Sequence, residues 1–160
     1  MDSYFKRQGL KGFGQLINDQ FYKGKEALFP FNRFYGYHAA FDLEAIDDEK
    51  EKNVPVYAVG FGPIIYIGTL SGYGGVILQK LTLENHIALY GHVKITDLPI
   101  KVSAIPVKPG QRITYLGDAF SSETSKERKH LHFGIYKGTN LSFKGHEASL
   151  RELNTKWENP

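Results

Sequence analysis

The chain has 160 residues, enough for one domain that buries a core without covalent staples. Lys+Arg 20 against Asp+Glu 17 leaves a net charge of +3, too little to argue for nucleic acid, and 41% hydrophobic with 23% charged residues favours neither a disordered nor a membrane class. The absence of cysteine removes disulfides, thiolate metal sites and cysteine nucleophiles, so any metal must rest on nitrogen and oxygen.

The N-terminus, MDSYFKRQGLKGFGQL, has no continuous apolar stretch of leader length, and no later window approaches the ~20 apolar residues of a membrane span. Residues 1–30 read as an extension packing on the domain, with a short helix near 13–21. From residue 54 onward the pattern is β. Residues 54–60 (VPVYAVG) and 63–70 (PIIYIGTL) are rich in Val, Ile and Tyr, and Ser71-Gly72-Tyr73-Gly74-Gly75 supplies the hairpin turn before a return strand at 76–83. Its glycines also let a groove wall approach closely. A strand from His86 to Val93 follows, then a tight turn at Lys108-Pro109-Gly110-Gln111 and a strand from Arg112 to Leu116. The hydrophilic loop Ser121 to Lys129 ends at the alternating segment His130-Leu131-His132-Phe133-Gly134-Ile135-Tyr136. At 149–157, Ser149 and Glu152 have capping-box spacing, and Leu150, Leu153 and Trp157 fall on one helical stripe.

Two short motifs bear chemistry. His38 and Asp42 in YHAAFD lie four positions apart, which puts both side chains on one side, with the small Ala39 and Ala40 between them leaving room for a metal. On the strand at 130–136, His130 and His132 share a face with Cα atoms roughly 6.5–7 Å apart, so one can bind an ion while the other reaches its water. His92, beside Gly91 at a strand end, adds a third element across the cleft. His86 reads as structural, His146 as solvated or a cap, and the mixed-charge run Asp47 to Lys52 as a solvated loop.

In order and spacing, YHAAFDLEA, VPVYAVGFGPIIYIG, GYGGVILQ, YGHV, VKPGQRITYLG and KHLHFGIYKG resemble the lysostaphin/LytM-type peptidoglycan metallopeptidases, the twenty-third metallopeptidase family, over residues 33 to 160. The resemblance implies a mostly β fold: antiparallel sheets in a sandwich-like domain of the LytM, or duplicated-hybrid-motif, type, with a substrate groove and short peripheral helices. It implies one peptidase domain, 1–160, with its catalytic core at 33–140. It further implies His38, Asp42 and His132 as ligands of one zinc ion per chain, with His92 and His130 as the catalytic pair. Phe41, where the family commonly carries a small residue, is expected to narrow the groove. Tyr35 and Tyr37 are candidates for stabilising an oxyanion.

The implied activity is hydrolysis of peptide cross-links in bacterial peptidoglycan by a metal-activated water. His130 is the preferred base and His92 the preferred electrophile, although a histidine pKa near 6.5 suits either task. Peptidoglycan peptides are then the partner, the location is extracytoplasmic, and a monomer is expected. Two other readings use the same residues. A non-catalytic wall-binding or hydrolase-activating module on this fold would not need the full His/Asp set. A lipoyl- or biotinyl-carrier sandwich would need a modifiable lysine at a hairpin tip between apolar neighbours, and the sequence offers none.

Overall fold

Dense Val, Ile, Tyr and Phe with short-range alternation yield strands along most of the described chain, which comprises residues 21–23, 35–45, 49–139 and 145–158 of the computed structural model. The strands are β1 (Phe21–Lys23), β2 (Tyr35–His38), β3 (Phe41–Glu44), β4 (Pro55–Tyr57), β5 (Gly62–Leu70) and β6 (Gly74–Leu81). They continue with β7 (His86–Gly91), β8 (Pro106–Val107), β9 (Arg112–Tyr115), β10 (His130–Lys137), β11 (His146–Glu147) and β12 (Trp157–Glu158). Among the described residues one helix, α1, spans Leu150–Lys156. The helix read near 13–21 falls almost wholly on residues outside those described. No helix among the described residues is long and apolar enough to cross a membrane.

The main sheet runs β12-β10-β7-β6-β5-β8, with β3 also joined to β10. Every pairing is antiparallel, the mostly β architecture expected. β3 and β12 share one edge of β10, taking His130–Phe133 and Ile135–Tyr136 respectively, while β7 takes the other edge. A three-stranded sheet, β1-β2-β11, and a two-stranded one, β4-β9, complete the pairing. Val76, Ile77, Ala88, Leu89, Tyr90, Leu131 and Phe133 are fully buried at the centre. Tyr90 keeps its hydroxyl satisfied there, donating to Gln79 Oε1 at 2.8 Å and accepting from Val59 N–H at 3.0 Å.

Several elements differ from the sequence reading for local reasons. β4 stops at Tyr57 because its ladder with β9 shifts register between Val56 and Tyr57, after which Ala58 engages the turn at 108–111. β7 stops at Gly91, since His92 turns to a φ of 60° and Val93 returns only as an isolated bridge to Leu116. Gly74 and Gly75 begin β6 instead of lying in the turn. A Cβ on Gly75 would lie 1.9 Å from the Val93 carbonyl oxygen, so this glycine serves backbone packing more directly than any groove wall. His146 is neither free nor a helix cap: it sits in β11 opposite His38 of β2. In the charged run, Glu49 is buried, and the carbonyls of Lys50 and Lys52 accept from the buried Lys129 ammonium at 3.2 and 2.6 Å.

The C-terminal helix forms as its cap predicts, with Ser149 Oγ accepting the Glu152 N–H at 3.2 Å. The apolar stripe is only partly realised. Leu153 is buried and Leu150 is exposed, while Trp157 leaves the helix in an extended conformation. Its indole N–H donates to the buried Glu147 carboxylate at 2.9 Å, and Lys156 donates to the same group at 2.8 Å.

Candidate metal centre

Strand alternation positions the functional side chains. On β10, Leu131 and Phe133 belong to the core cluster, so His130 and His132 project from the opposite face. β3 is registered so that Asp42 lies opposite His132 and Glu44 opposite His130. The same alternation sends Phe41 into the core, fully packed, so it does not narrow the face bearing the histidines. On the other edge of β10, Gly91 lies opposite His132. A Cβ there would come within 2.8 Å of the Tyr73 ring and 3.3 Å of His132 Cβ, so the glycine makes room for both rings.

His38 ends β2, and the buried Ala39 and Ala40 carry the chain into β3. This brings His38 Nε2 to 3.4 Å from Asp42 Oδ1, while His132 Nδ1 approaches the same oxygen at 3.2 Å. The His38 and His132 rings meet edge to face, with centroids 4.9 Å apart. These three residues form a buried group whose donor atoms all lie within 4.8 Å of one another. Zinc bonds of about 2.0–2.1 Å in a tetrahedron put neighbouring donors about 3.3 Å apart, so the two short separations match edges of such a shell. The chemistry of the donor set and two of its three separations therefore fit a zinc ion.

Electrostatics suit the same use. Burial lowers the His38 pKa to about 4, with repulsion from His132 and His130 adding to it and Asp42 opposing. Burial by itself would raise the Asp42 carboxyl, but His38, His130 and His132 outweigh it and hold the group well below the usual carboxylate range. The set thus presents a neutral His38 imidazole beside an ionised carboxylate at neutral pH, the protonation states a cation requires.

Beside this triad stand His92 and His130, ring centroids 4.3 Å apart. His92 adopts its left-handed backbone while its N–H donates to Tyr73 O at 3.0 Å and its carbonyl accepts from Gly117 N–H at 2.8 Å. Such a conformation is uncommon outside glycine and is held here by contacts on both sides. Burial depresses both pKa values, with His130 and His132 further lowering His92 and the Arg128 charge further lowering His130. The His130 ring hydrogen-bonds through Nδ1 to the Arg128 carbonyl at 2.8 Å, which requires the proton on Nδ1 and leaves Nε2 bare, 3.5 Å from Asp42 Oδ2.

All five histidine and aspartate positions singled out in the sequence meet at this site. Tyr37 packs against the core as a partly buried ring, and the Tyr35 side chain lies outside what is described. The aromatic that reaches the site is Tyr73, read in sequence only as part of a turn. Its ring lies 5.0 Å from His132 and 6.5 Å from His92. Its hydroxyl and His92 Nδ1 are buried without a hydrogen-bond partner among the described residues. Arg128 and Glu44 were also missed. The signal for Glu44 is parity, since Asp42 and Glu44 share one face of β3, whereas Arg128 lies in the loop before β10 and is marked by spacing alone.

The chain thus combines a mostly antiparallel β domain with a buried group of two histidines and one carboxylate that could hold a metal ion, and two more histidines alongside. The chain belongs to peptidase family M23, which matches residues 38–144. Among curated proteins it is 35% identical over 98 residues to the uncharacterized lipoprotein YgeR of Escherichia coli strain K12. That match covers 60% of this chain, and the chain spans about a third of the relative, 36% of its length. The fold is shared with LytU, at 23% identity and a TM-score of 0.59 over 92% of this chain and 82% of that one. It is shared equally with the catalytic domain of lysostaphin from Staphylococcus simulans, at 21% identity and a TM-score of 0.56 over 94% and 97%.

Proposed function

We propose that this chain is a zinc-dependent endopeptidase that hydrolyses peptide cross-links of bacterial peptidoglycan, acting outside the cytoplasm. The observation that carries the reading is the joint burial of His38, Asp42 and His132, with His38 Nε2 and His132 Nδ1 at 3.4 and 3.2 Å from Asp42 Oδ1. Membership of peptidase family M23 and the lysostaphin-like fold support the wall substrate, and the kinship with a protein named as a lipoprotein supports the location.

In this reading His38, Asp42 and His132 hold one zinc ion, which when bound supplies Lewis acidity, polarising a peptide carbonyl and acidifying water. His130 serves as general base: its tautomer leaves Nε2 free to take a proton, and Asp42 Oδ2 at 3.5 Å stabilises the imidazolium that results. His92, its ring centroid 4.3 Å from that of His130, takes the role of stabilising the developing oxyanion and returning a proton to the leaving amine in this reading. Two imidazoles this close resist being charged together, which favours passing one proton between roles.

The test combines metal analysis with mass spectrometry of fragments released from purified walls of several chemotypes. Wild type should hold one zinc per chain and release cleaved peptides. His132→Ala should lose zinc and cleavage together, while His130→Ala should keep zinc and lose turnover by roughly 100-fold or more. Zinc with wall binding but no fragments from any chemotype would instead make the chain a non-catalytic wall-binding or hydrolase-activating module.

A further inference from the structure

The two oxygens of Asp42 have different neighbours. Oδ1 faces His38 and His132 at 3.4 and 3.2 Å, whereas Oδ2 faces Arg128 Nη2 at 3.1 Å and His130 at 3.5 Å. The guanidinium is itself anchored, donating from Nε to Glu44 Oε1 at 2.7 Å and also from Nη2 to that oxygen. The Arg128 carbonyl, in turn, accepts from the His130 ring. One residue therefore touches the ligand carboxylate through its side chain and the neighbouring histidine through its backbone.

We propose that Arg128 is a positioning residue: by occupying Asp42 Oδ2 it restricts the carboxylate to one metal-facing oxygen, and Glu44 holds the guanidinium in place for that purpose. The inference rests on the metal reading above and deepens it. A carboxylate can bind a cation through one oxygen or both, and taking both would consume coordination space needed for water and substrate. Arginine suits the task because its planar fork spans two carboxylates without losing its proton. Glu44 balances the added positive charge, so the cation site is not opposed by an uncompensated guanidinium. The strand register makes the device compact. Asp42 and Glu44 lie two apart on β3, facing His132 and His130 on β10, and Arg128 sits two residues before β10 begins.

The test uses the full chain loaded with zinc or cobalt(II). Arg128→Ala should lower zinc affinity by about 10- to 100-fold in competition with a chromophoric chelator, the range typical of lost outer-shell partners. It should also weaken the visible absorption of the cobalt(II) protein, as two-oxygen binding raises the coordination number. Arg128→Lys should restore affinity in part but not the full spectrum, because ammonium cannot bridge both carboxylates. Glu44→Gln should shift both readouts in the same direction and less far. Unchanged affinity and spectrum in Arg128→Ala, with wild type still binding one zinc through His132, would overturn the positioning role and leave the metal reading intact. Loss of zinc from wild type itself would instead remove the metal reading.

Discussion

At His38 a single proton links structure to acidity. Folding buries the imidazole and takes its pKa from the ordinary 6.5 to about 4, so the unfolded chain binds that proton more readily than the folded one. In metal-free protein, stability is therefore constant with respect to this group above about pH 6.5 and falls as pH drops toward 4, by up to about 1.4 kcal/mol per pH unit. His92 and His130 are depressed in the same direction by burial and add to the loss. Asp42 does not offset it in this window: its folded carboxyl titrates well below the usual range, so its own contribution persists until stronger acid. Urea unfolding of chelator-treated protein at pH 7 and pH 5 should show a lower midpoint at pH 5, and His38→Ala should reduce the difference, leaving the share due to His92 and His130. A midpoint independent of pH across that interval would contradict the burial of these imidazoles.

Among the elements, α1 shows how little a short helix owes to its own hydrogen bonds. Seven residues are too few for autonomous helicity, so the segment depends on its Ser149 cap, the burial of Leu153 and the adjoining Glu147 contacts of Lys156 and Trp157. Ser149→Ala removes the acceptor for the Glu152 N–H and should cost about 1 kcal/mol, a fall in thermal midpoint of roughly 2–4 °C. Ser149 touches none of the metal donors, so zinc content should stay at the wild-type level while calorimetry reports the shift. The cap was legible from the Ser149/Glu152 spacing. The placement of Trp157 was not, because its partner Glu147 is a buried carboxylate and nothing in a helical wheel marks it. The strands were legible where alternation and turn residues agreed, as in β5, β6 and β10. They were misjudged where a bulge or a left-handed residue interrupts the ladder, as after Val56 and at His92.

Across the whole molecule, the donor set draws on parts of the chain far apart in sequence: β2 and β3 supply His38 and Asp42, and β10 supplies His132, ninety positions beyond Asp42. The His38/Asp42 and His130/His132 motifs were legible because each needs only local spacing, and the order of motifs carried the family. Arg128, Glu44 and Tyr73 were harder to read, since their importance comes from cross-strand register and from backbone turns that a one-dimensional pattern does not fix. That long-range closure has a thermodynamic consequence. An ion bound by the folded donor set, and far less well by the unfolded chain, stabilises the fold by RT ln(1 + [Zn]/Kd), about 2.7 kcal/mol at a hundredfold excess over Kd. For a domain of this size that is a rise of roughly 5–10 °C in thermal midpoint. Adding zinc to chelator-stripped wild type at pH 7 should produce that rise and make it grow logarithmically with free zinc. The same titration of His132→Ala should give almost none, because one of the three donors is gone. Equal shifts in wild type and variant would mean the ion binds elsewhere on the chain, and β3 and β10 would then be joined by their ladder, their core packing and the direct contacts of Asp42 with His130 and His132, without a metal bridge.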